Sequence, residues 1–183
     1  ASIEAMDSEI ARLLASIPED ELSNTLIIYV GDNGTPAAVI DTSVYSKQHS
    51  KGSLYEGGLR VPMIVSGTGV TREGVHEGAL INTTDFYASI INFAGNEISQ
   101  LNDSYSFVDL FSVDSDGQRT YNYAEFESND VTGWAVRNKD YKLIEFEDGT
   151  QELYLVSDDI AETANIISNN TDIVNELDAY AHL

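Results

Sequence analysis

The sequence predicts an α/β fold in two parts. The first is a partial parallel or mixed sheet with flanking helices, and the second is a small antiparallel sheet packed with a C-terminal helix. Three observations support this prediction. An apolar stripe with helical spacing precedes a short run that is apolar on both faces, and the pattern changes to alternating strands beyond Gly95.

The first half of the chain predicts one amphipathic helix and two core strands. The run from Leu26 to Val30 is apolar on both faces, which is typical of a parallel strand covered by helices. Residues 35–50 are polar and predict a long loop, and the run from Val61 to Val65 predicts a second core strand. The helix is ended by Pro18 and carries its stripe on Ile3, Met6, Ile10, Leu13, Leu14 and Ile17.

The next helix is predicted to begin with an N-cap at Thr83 or Thr84 and to stop at Gly95. Strands follow in "YNYAEFE" and in "GWAVRNKDYKLIEFEDGTQELYLV", where "RNKD" and "EDGT" have the composition of turns. The pair Asp148 and Gly149 is a strong hairpin signal. A closing helix is predicted from Thr171 to about Tyr180.

The charge balance restricts the possible partners. The chain of 183 residues has 9 Lys and Arg against 31 Asp and Glu, a formal net charge of −22, so nucleic acid and anionic membrane surfaces are poor candidates. An anionic substrate would need local positive charge from a metal ion or from one of the few basic side chains. The chain has no cysteine, and no apolar run approaches the length of a membrane span.

The strand from Leu26 to Val30 is followed closely by Asp32 and Asn33. Ligands of an open parallel sheet collect where the strands end. Two hard oxygen donors side by side suit Ca²⁺ or Mg²⁺, and Gly34 would let the backbone turn so that both face one ion. The same three residues also have the composition of an ordinary turn, and local sequence alone favours that reading.

Lys51 is the basic residue that lies close to a glycine-rich turn leading into a core strand. A lysine there could meet a tetrahedral oxyanion or protonate a leaving group, although most lysines are simply solvated at the surface. His49 could lie behind a metal ligand. Arg60 could either anchor an internal carboxylate such as Glu56 or face the site, and the structural role is favoured.

Five blocks together resemble the sulfatase family of the alkaline phosphatase superfamily. The pattern K-G-x-L-Y-E-G-G-x-R-V-P, with D-N-G upstream of it, is the most specific part of the match. The blocks stand in the family's order and extend over nearly the whole chain: "MDSEIARLL", "NTLIIYVGDNG", "SKGSLYEGGLRVPMIV", "TDFYASIINFAG" and "AVRNKDYKLIEFEDGTQELYLVSDDIAETANI".

The resemblance implies specific roles for the candidate residues. Asp32 and Asn33 match the family's second pair of metal ligands, which hold a divalent ion, usually Ca²⁺. Lys51 matches the lysine that contacts the sulfate group and helps the leaving oxygen to depart. Glu56 and Arg60 match scaffold positions of the loop. The substrate implied is a sulfate ester of a small molecule or a saccharide.

The departures from the family pattern are equally specific. The family places two adjacent aspartates, further Lys and His groups and the C-x-P-x-R or S-x-P-x-R turn that supplies the nucleophile ahead of the region matched here, and none of these family groups is in this chain. Residues 1–112 therefore resemble the C-terminal part of the family's α/β core, and residues 113–183 its C-terminal subdomain. The metal is expected to bind weakly or not at all to this portion.

Three hypotheses follow. The chain is a fragment or half of a sulfatase, inactive alone, which needs a missing N-terminal half or associates with itself. Alternatively, it is a non-catalytic binding or interaction module derived from a sulfatase. Thirdly, it is part of a phosphonate or phosphodiester hydrolase of the same superfamily. Full-length relatives are commonly exported, which leaves the localisation of this chain open.

Overall fold

The structure is a computed structural model that describes residues 2–128 and 132–183. The predicted α/β class is confirmed: helices combine with antiparallel sheets, and a four-stranded sheet occupies the C-terminal part. The helices are α1 (Ser2–Ala15), α2 (Glu19–Leu22), α3 (Glu56–Leu59), α4 (Phe86–Phe93) and α5 (Thr171–Ala181). The strands are β1 (Leu26–Val30), β2 (Met63–Gly67), β3 (Gln100–Leu101), β4 (Ser104–Tyr105), β5 (Asn122–Glu127), β6 (Thr132–Arg137), β7 (Tyr141–Phe146) and β8 (Gln151–Leu155).

Strand β1 lies where the sequence predicts it, but its pairing differs from the prediction. It pairs antiparallel with β2 in a two-stranded sheet, with Ile28 opposite Val65, so the expected parallel partner is absent from the described residues. Strand β2 begins two residues later than predicted, since Val61 and Pro62 precede it. Within the described chain, both outer edges of this sheet lack a partner strand.

One core cluster joins this small sheet to helix α4. Phe107, Leu110 and Phe111 are buried there, and side chains of both strands pack against them, including Leu26 and Val65. The opposite face is more open: Ile64 is 60% exposed, and helix α1 has no buried residue. The α1 stripe is therefore partly covered: Ile3 is 74% exposed, and Met6 and Leu13 are also exposed, whereas Ile10 and Leu14 are half-buried.

A 3₁₀ turn, Thr83–Asp85, leads into helix α4, and the residue that caps this turn differs from the predicted N-cap. Asn82 is the cap: its Oδ1 accepts the Thr84 N–H at 3.1 Å, and Asp85 Oδ2 accepts the Asn82 N–H at 2.8 Å. Asparagine is as good a cap as threonine, and the reciprocal bond from Asp85 selects the earlier position. Gly95 follows the helix with φ of 96°, as predicted for a helix stop.

The C-terminal sheet is a meander in the order β5, β6, β7, β8, with every neighbouring pair antiparallel. The predicted turn at Asp148 and Gly149 joins β7 to β8, with Gly149 at φ of 81°. One face packs against helix α5, where Val136, Leu143 and Leu153 meet Leu177. Helix α5 matches the predicted closing helix.

The other face of the meander packs against the loop that follows Lys51. Leu54 is 1% exposed and is clustered with Ala135, Ile144 and Tyr154. This cluster contains side chains from both sides of the predicted boundary between residues 112 and 113. The boundary itself stays a prediction. None of the helices described here is long and apolar enough to cross a membrane.

Candidate functional site

Asp32 and Asn33 follow Gly31, at the end of the β1–β2 ladder. The Gly31 N–H donates to Pro62 O at 2.9 Å, which closes the ladder, and the chain then leaves the sheet. Both side chains are exposed, and neither makes a hydrogen bond or ion pair within residues 2–128 and 132–183. Their oxygens are therefore available to a ligand.

Lys51 is brought next to this turn by backbone hydrogen bonds. The Lys51 N–H donates to Thr35 O at 3.0 Å, and the Gly34 N–H donates to Gly58 O at 3.2 Å. The D-N-G turn and the K-G-x-L-Y-E-G-G loop are thus joined although they are distant in sequence. The Lys51 ammonium is exposed and has no partner in the part of the chain that the structure describes.

Close backbone packing explains two of the glycines in this pair of loops. A Cβ on Gly34 would overlap the Gly57 carbonyl oxygen and come within 2.8 Å of Gly58 Cα. A Cβ on Gly57 would overlap the carbonyl oxygen of His49. Because the obstructing atoms belong to the backbone, no side-chain rotation can relieve these overlaps.

Gly34→Ala is accordingly expected to lower the free energy of unfolding by about 3 kcal/mol, at the upper end for overpacking. Gly78→Ala is the matched control, because a Cβ at Gly78 meets nothing within 4 Å. Urea unfolding of both variants measures the difference. Equal stability of the two variants would show that the loops are not packed backbone to backbone.

We name residues 49–58 the Lys51 loop. Glu56 anchors this loop in the protein interior, and its partners differ from the prediction. It is 2% exposed and accepts from Arg137 Nη1 at 2.7 Å and from Lys142 Nζ at 3.2 Å. Arg60 is exposed and meets Glu56 only through its backbone N–H, which donates to Glu56 O at 2.8 Å. The favoured alternative, that Arg60 anchors Glu56, is therefore wrong for this carboxylate, since two cations of the C-terminal sheet occupy that place. The other alternative, that Arg60 faces the site, stays a prediction.

Lys142 also lies 2.8 Å from Glu162 Oε1, and both residues are 1% exposed. Burial raises the pKa of Glu162 above its ordinary value, and the Lys142 ammonium opposes that shift. Roles for Arg137, Lys142 and Glu162 were not predicted from the sequence. One signal was present: Lys142 stands between apolar residues in "YKLIEF", in a strand buried on both faces.

His49 packs on the other flank of Lys51. Its ring is stacked on Tyr55 with centroids 3.6 Å apart, and its Nδ1 lies 3.1 Å from Ala161 O. Tyr55 donates to Glu152 Oε2 at 2.7 Å. Burial and this carboxylate raise the pKa of Tyr55 well above its ordinary range, so the hydroxyl keeps its proton at neutral pH.

The two donors fit part of a hard-metal site. A carboxylate and a carboxamide without partners have the chemistry that Ca²⁺ or Mg²⁺ requires. Within the described residues there is no group of three or more His, Cys, Asp or Glu side chains that could hold a metal. Asp32 and Asn33 alone would leave a Ca²⁺ or Mg²⁺ ion short of its usual number of oxygen ligands.

A cleft of about 540 Å³ lies at one end of the C-terminal sheet. Four carboxylates line it, from Glu125, Glu127, Glu145 and Glu147, together with aromatic rings such as that of Trp134. This surface would repel a sulfate ester. The D-N-G turn and Lys51 are the better candidate for an anionic substrate.

Comparison with known proteins gives consistent matches along the chain. Residues 46–180 match the family described as N-sulphoglucosamine sulphohydrolase, C-terminal. A sulfatase of Formosa agariphila is 28% identical over 93% of this chain and 35% of its own length. Arylsulfatase K of Homo sapiens is 26% identical over 100% of this chain and 34% of its own.

Solved structures share the fold. A protein solved in complex with its substrate D-glucosamine-2-N,6-O-disulfate has a TM-score of 0.78 and 24% identity, over 97% of this chain and 37% of that one. This likeness concerns the fold alone. The chain spans about a third of the length of the curated relatives named above.

Proposed function

Because this chain belongs to the N-sulphoglucosamine sulphohydrolase C-terminal family, we propose that it forms the C-terminal part of a sulfatase that hydrolyses sulfate esters. The observation that carries the proposal is the joining of the D-N-G turn to the Lys51 loop. It places two free oxygen donors and a free ammonium on adjacent backbone segments. A strongly acidic chain needs such a local cation to accept an anion.

In this proposal Asp32 and Asn33 hold a divalent ion, Ca²⁺ by the family resemblance, together with ligands from another segment. The bound ion supplies Lewis-acid stabilisation of negative charge on the transferring group. The carboxylate of Asp32 brings the charge and Asn33 a neutral oxygen. Gly34 packs against the backbone of Gly57 and Gly58, which fixes the turn that carries the two donors.

Lys51 is proposed to contact the sulfate group and to donate a proton to the leaving oxygen. A lysine ammonium suits both tasks, as a compact charge with three donors. His49 and Glu56 lie on either side of it and belong to the packed scaffold. None of the residues assigned a role in this chain supplies the nucleophile of the reaction.

The substrate is proposed to be a sulfated saccharide. A protein of the same fold was solved with D-glucosamine-2-N,6-O-disulfate as its substrate, which supports that class. Phosphate and phosphonate esters remain the alternative, since the D-N-G turn and a lysine could serve either anion. The choice between them is a matter for the assay below.

The partner is proposed to be the N-terminal portion of a sulfatase, with self-association as the alternative. Three features support an uncovered interface: the outer edges of the β1–β2 sheet, which have no partner strand among the described residues, the 60% exposed Ile64, and the exposed side chains of Ile3, Met6 and Leu13 on helix α1. Unpaired strand edges and apolar surface tend to pair with another segment. The chain alone is expected to be inactive, because the nucleophile that the family resemblance implies is not in it.

A hybrid enzyme tests the function. This chain replaces the matching third of the Formosa agariphila sulfatase, and turnover is measured on an aryl sulfate and on the matching aryl phosphate. We expect the hybrid to hydrolyse the aryl sulfate and the isolated chain not to do so. Turnover by the hybrid should be lost when a chelator is added and should recover when Ca²⁺ is restored. A hybrid that unfolds cooperatively yet has no turnover would contradict the proposal and favour a non-catalytic module.

A further inference from the structure

A short segment near the C-terminus contacts both flanks of the Lys51 loop. We name residues 159–165 the clamp segment. The Ala161 carbonyl oxygen lies 3.1 Å from His49 Nδ1, two residues before Lys51. Glu162 Oε2 accepts the Glu56 N–H at 2.6 Å, five residues after Lys51. Adjacent residues of the clamp segment thus contact the loop on each side of the lysine.

The clamp segment is itself fixed by side-chain bonds to backbone groups. Asp159 Oδ2 accepts the N–H groups of Thr163 at 2.8 Å and Ala164 at 2.9 Å. Asn165 Oδ1 accepts the Leu153 N–H at 3.1 Å, which ties the segment to strand β8. The position of Glu162 is therefore set by the C-terminal sheet.

The backbone conformation and the burial of Glu162 are both unfavourable in free energy. Its φ is 55°, in the left-handed region that residues with a Cβ seldom adopt, and its carboxylate is buried. Burying a carboxylate requires a partner, and Lys142 Nζ lies 2.8 Å from Oε1. Contacts on both carboxylate oxygens offset the cost of this arrangement.

Lys142 extends the same contact. Lys142, on strand β7, forms ion pairs with both Glu162 and Glu56. These three charged side chains connect the clamp segment to the Lys51 loop. The N–H group of Glu56 is the first of helix α3, a group that helix geometry leaves unsatisfied. Glu162 satisfies it from a position distant in sequence.

We propose that the clamp segment holds Lys51 in place and that Glu162 is a positioning residue for it. This inference rests on the role of Lys51 in the proposed function. Glu162 does not touch the substrate in this account. Together with Ala161, it fixes the backbone on both sides of the lysine. The Lys51 backbone, which carries the exposed ammonium, is therefore held in one position next to Asp32 and Asn33.

Amide hydrogen exchange of the intact 183-residue chain tests the inference. In Glu162→Ala, the N–H groups of Lys51 and Gly58 are expected to lose protection by about tenfold or more, because a hydrogen bond to a charged group is lost. Amides of strands β6 and β7 are expected to keep theirs. Asp158→Ala is the matched control, an exposed carboxylate beside the clamp segment, and should change neither set.

A second variant guards against misfolding. Glu162→Gln keeps an acceptor for the Glu56 N–H, so it should lose less protection than Glu162→Ala, with the loss again confined to the Lys51 loop. Unchanged exchange in the loop, or equal acceleration in the loop and the strands, would overturn the inference. Neither result depends on turnover, so failure of the clamp and failure of the proposed function are distinguishable.

Discussion

Replacing Arg119 by methionine is expected to lower the free energy of unfolding by about 3–5 kcal/mol, the cost of breaking a buried ion pair on one side. Arg119 Nε donates to Asp85 Oδ2 at 2.8 Å and Nη2 donates to Oδ1 at 2.6 Å. The side chains of the two residues are 3% and 2% exposed. Removal of the guanidinium would leave the carboxylate buried and without its counter-charge.

The pair also connects elements that are far apart in the chain. Asp85 completes the capping box of the turn before helix α4 and accepts the Tyr105 N–H at 2.8 Å. The guanidinium lies over the Tyr105 ring, 4.9 Å from its centroid. Burial acts to lower the pKa of Arg119, but the hydrogen bonds to Asp85 raise it above its ordinary value, so the arginine stays charged.

Arg12→Met is the control for this prediction. Arg12 donates to Glu9 at 2.6 Å, a distance like that of the buried pair, but the two side chains are 77% and 65% exposed. Exposed pairs contribute little because water screens them. Urea unfolding should therefore separate the two variants clearly. A similar midpoint for Arg119→Met and Arg12→Met would show that Arg119 is not a structural anchor.

Lys51→Ala in the hybrid enzyme is expected to reduce turnover by about 10²-fold or more, the usual contribution of a positioned acid. The substitution would remove the positive charge that contacts the sulfate group, and it would also remove the proton donor for the leaving oxygen. The ammonium makes no bond to the described residues, so the substitution should leave the unfolding midpoint unchanged.

Lys47→Ala is the matched control, because Lys47 is an exposed lysine only four residues before Lys51. Its turnover is expected to equal that of the unmodified hybrid. The effect of Lys51→Ala should be smaller for an aryl sulfate with a good leaving group, which needs less help from an acid. A loss of turnover shared equally by both lysine variants would point to general surface charge instead.

Much of the fold could be predicted from the sequence because hydrophobic period and turn chemistry are local. Strand β1, helix α5 and the Gly149 turn illustrate this, since each is determined by its own residues. The partner of β1 could not be predicted, because strand pairing depends on segments remote in sequence. Helix α3 was missed because its four residues include two glycines.

The candidate site shows the same division. Asp32, Asn33 and Lys51 were identified by residue type and family resemblance, and their roles remain proposals. The carriers of buried charge were missed, since Lys142 and Glu162 acquire meaning only when strand β7 and the clamp segment meet Glu56. A sequence pattern gives the burial of a strand but not the partner of a charge inside it.

The meander of β5 to β8 also has a consequence for the order of folding. Each of its strands pairs with its immediate neighbour along the chain, so little loop-closure entropy is lost in forming it. The Lys51 loop, in contrast, is anchored by contacts that span most of the chain. We therefore expect the C-terminal sheet to form early and to serve as the template on which the loop carrying Lys51 becomes ordered last.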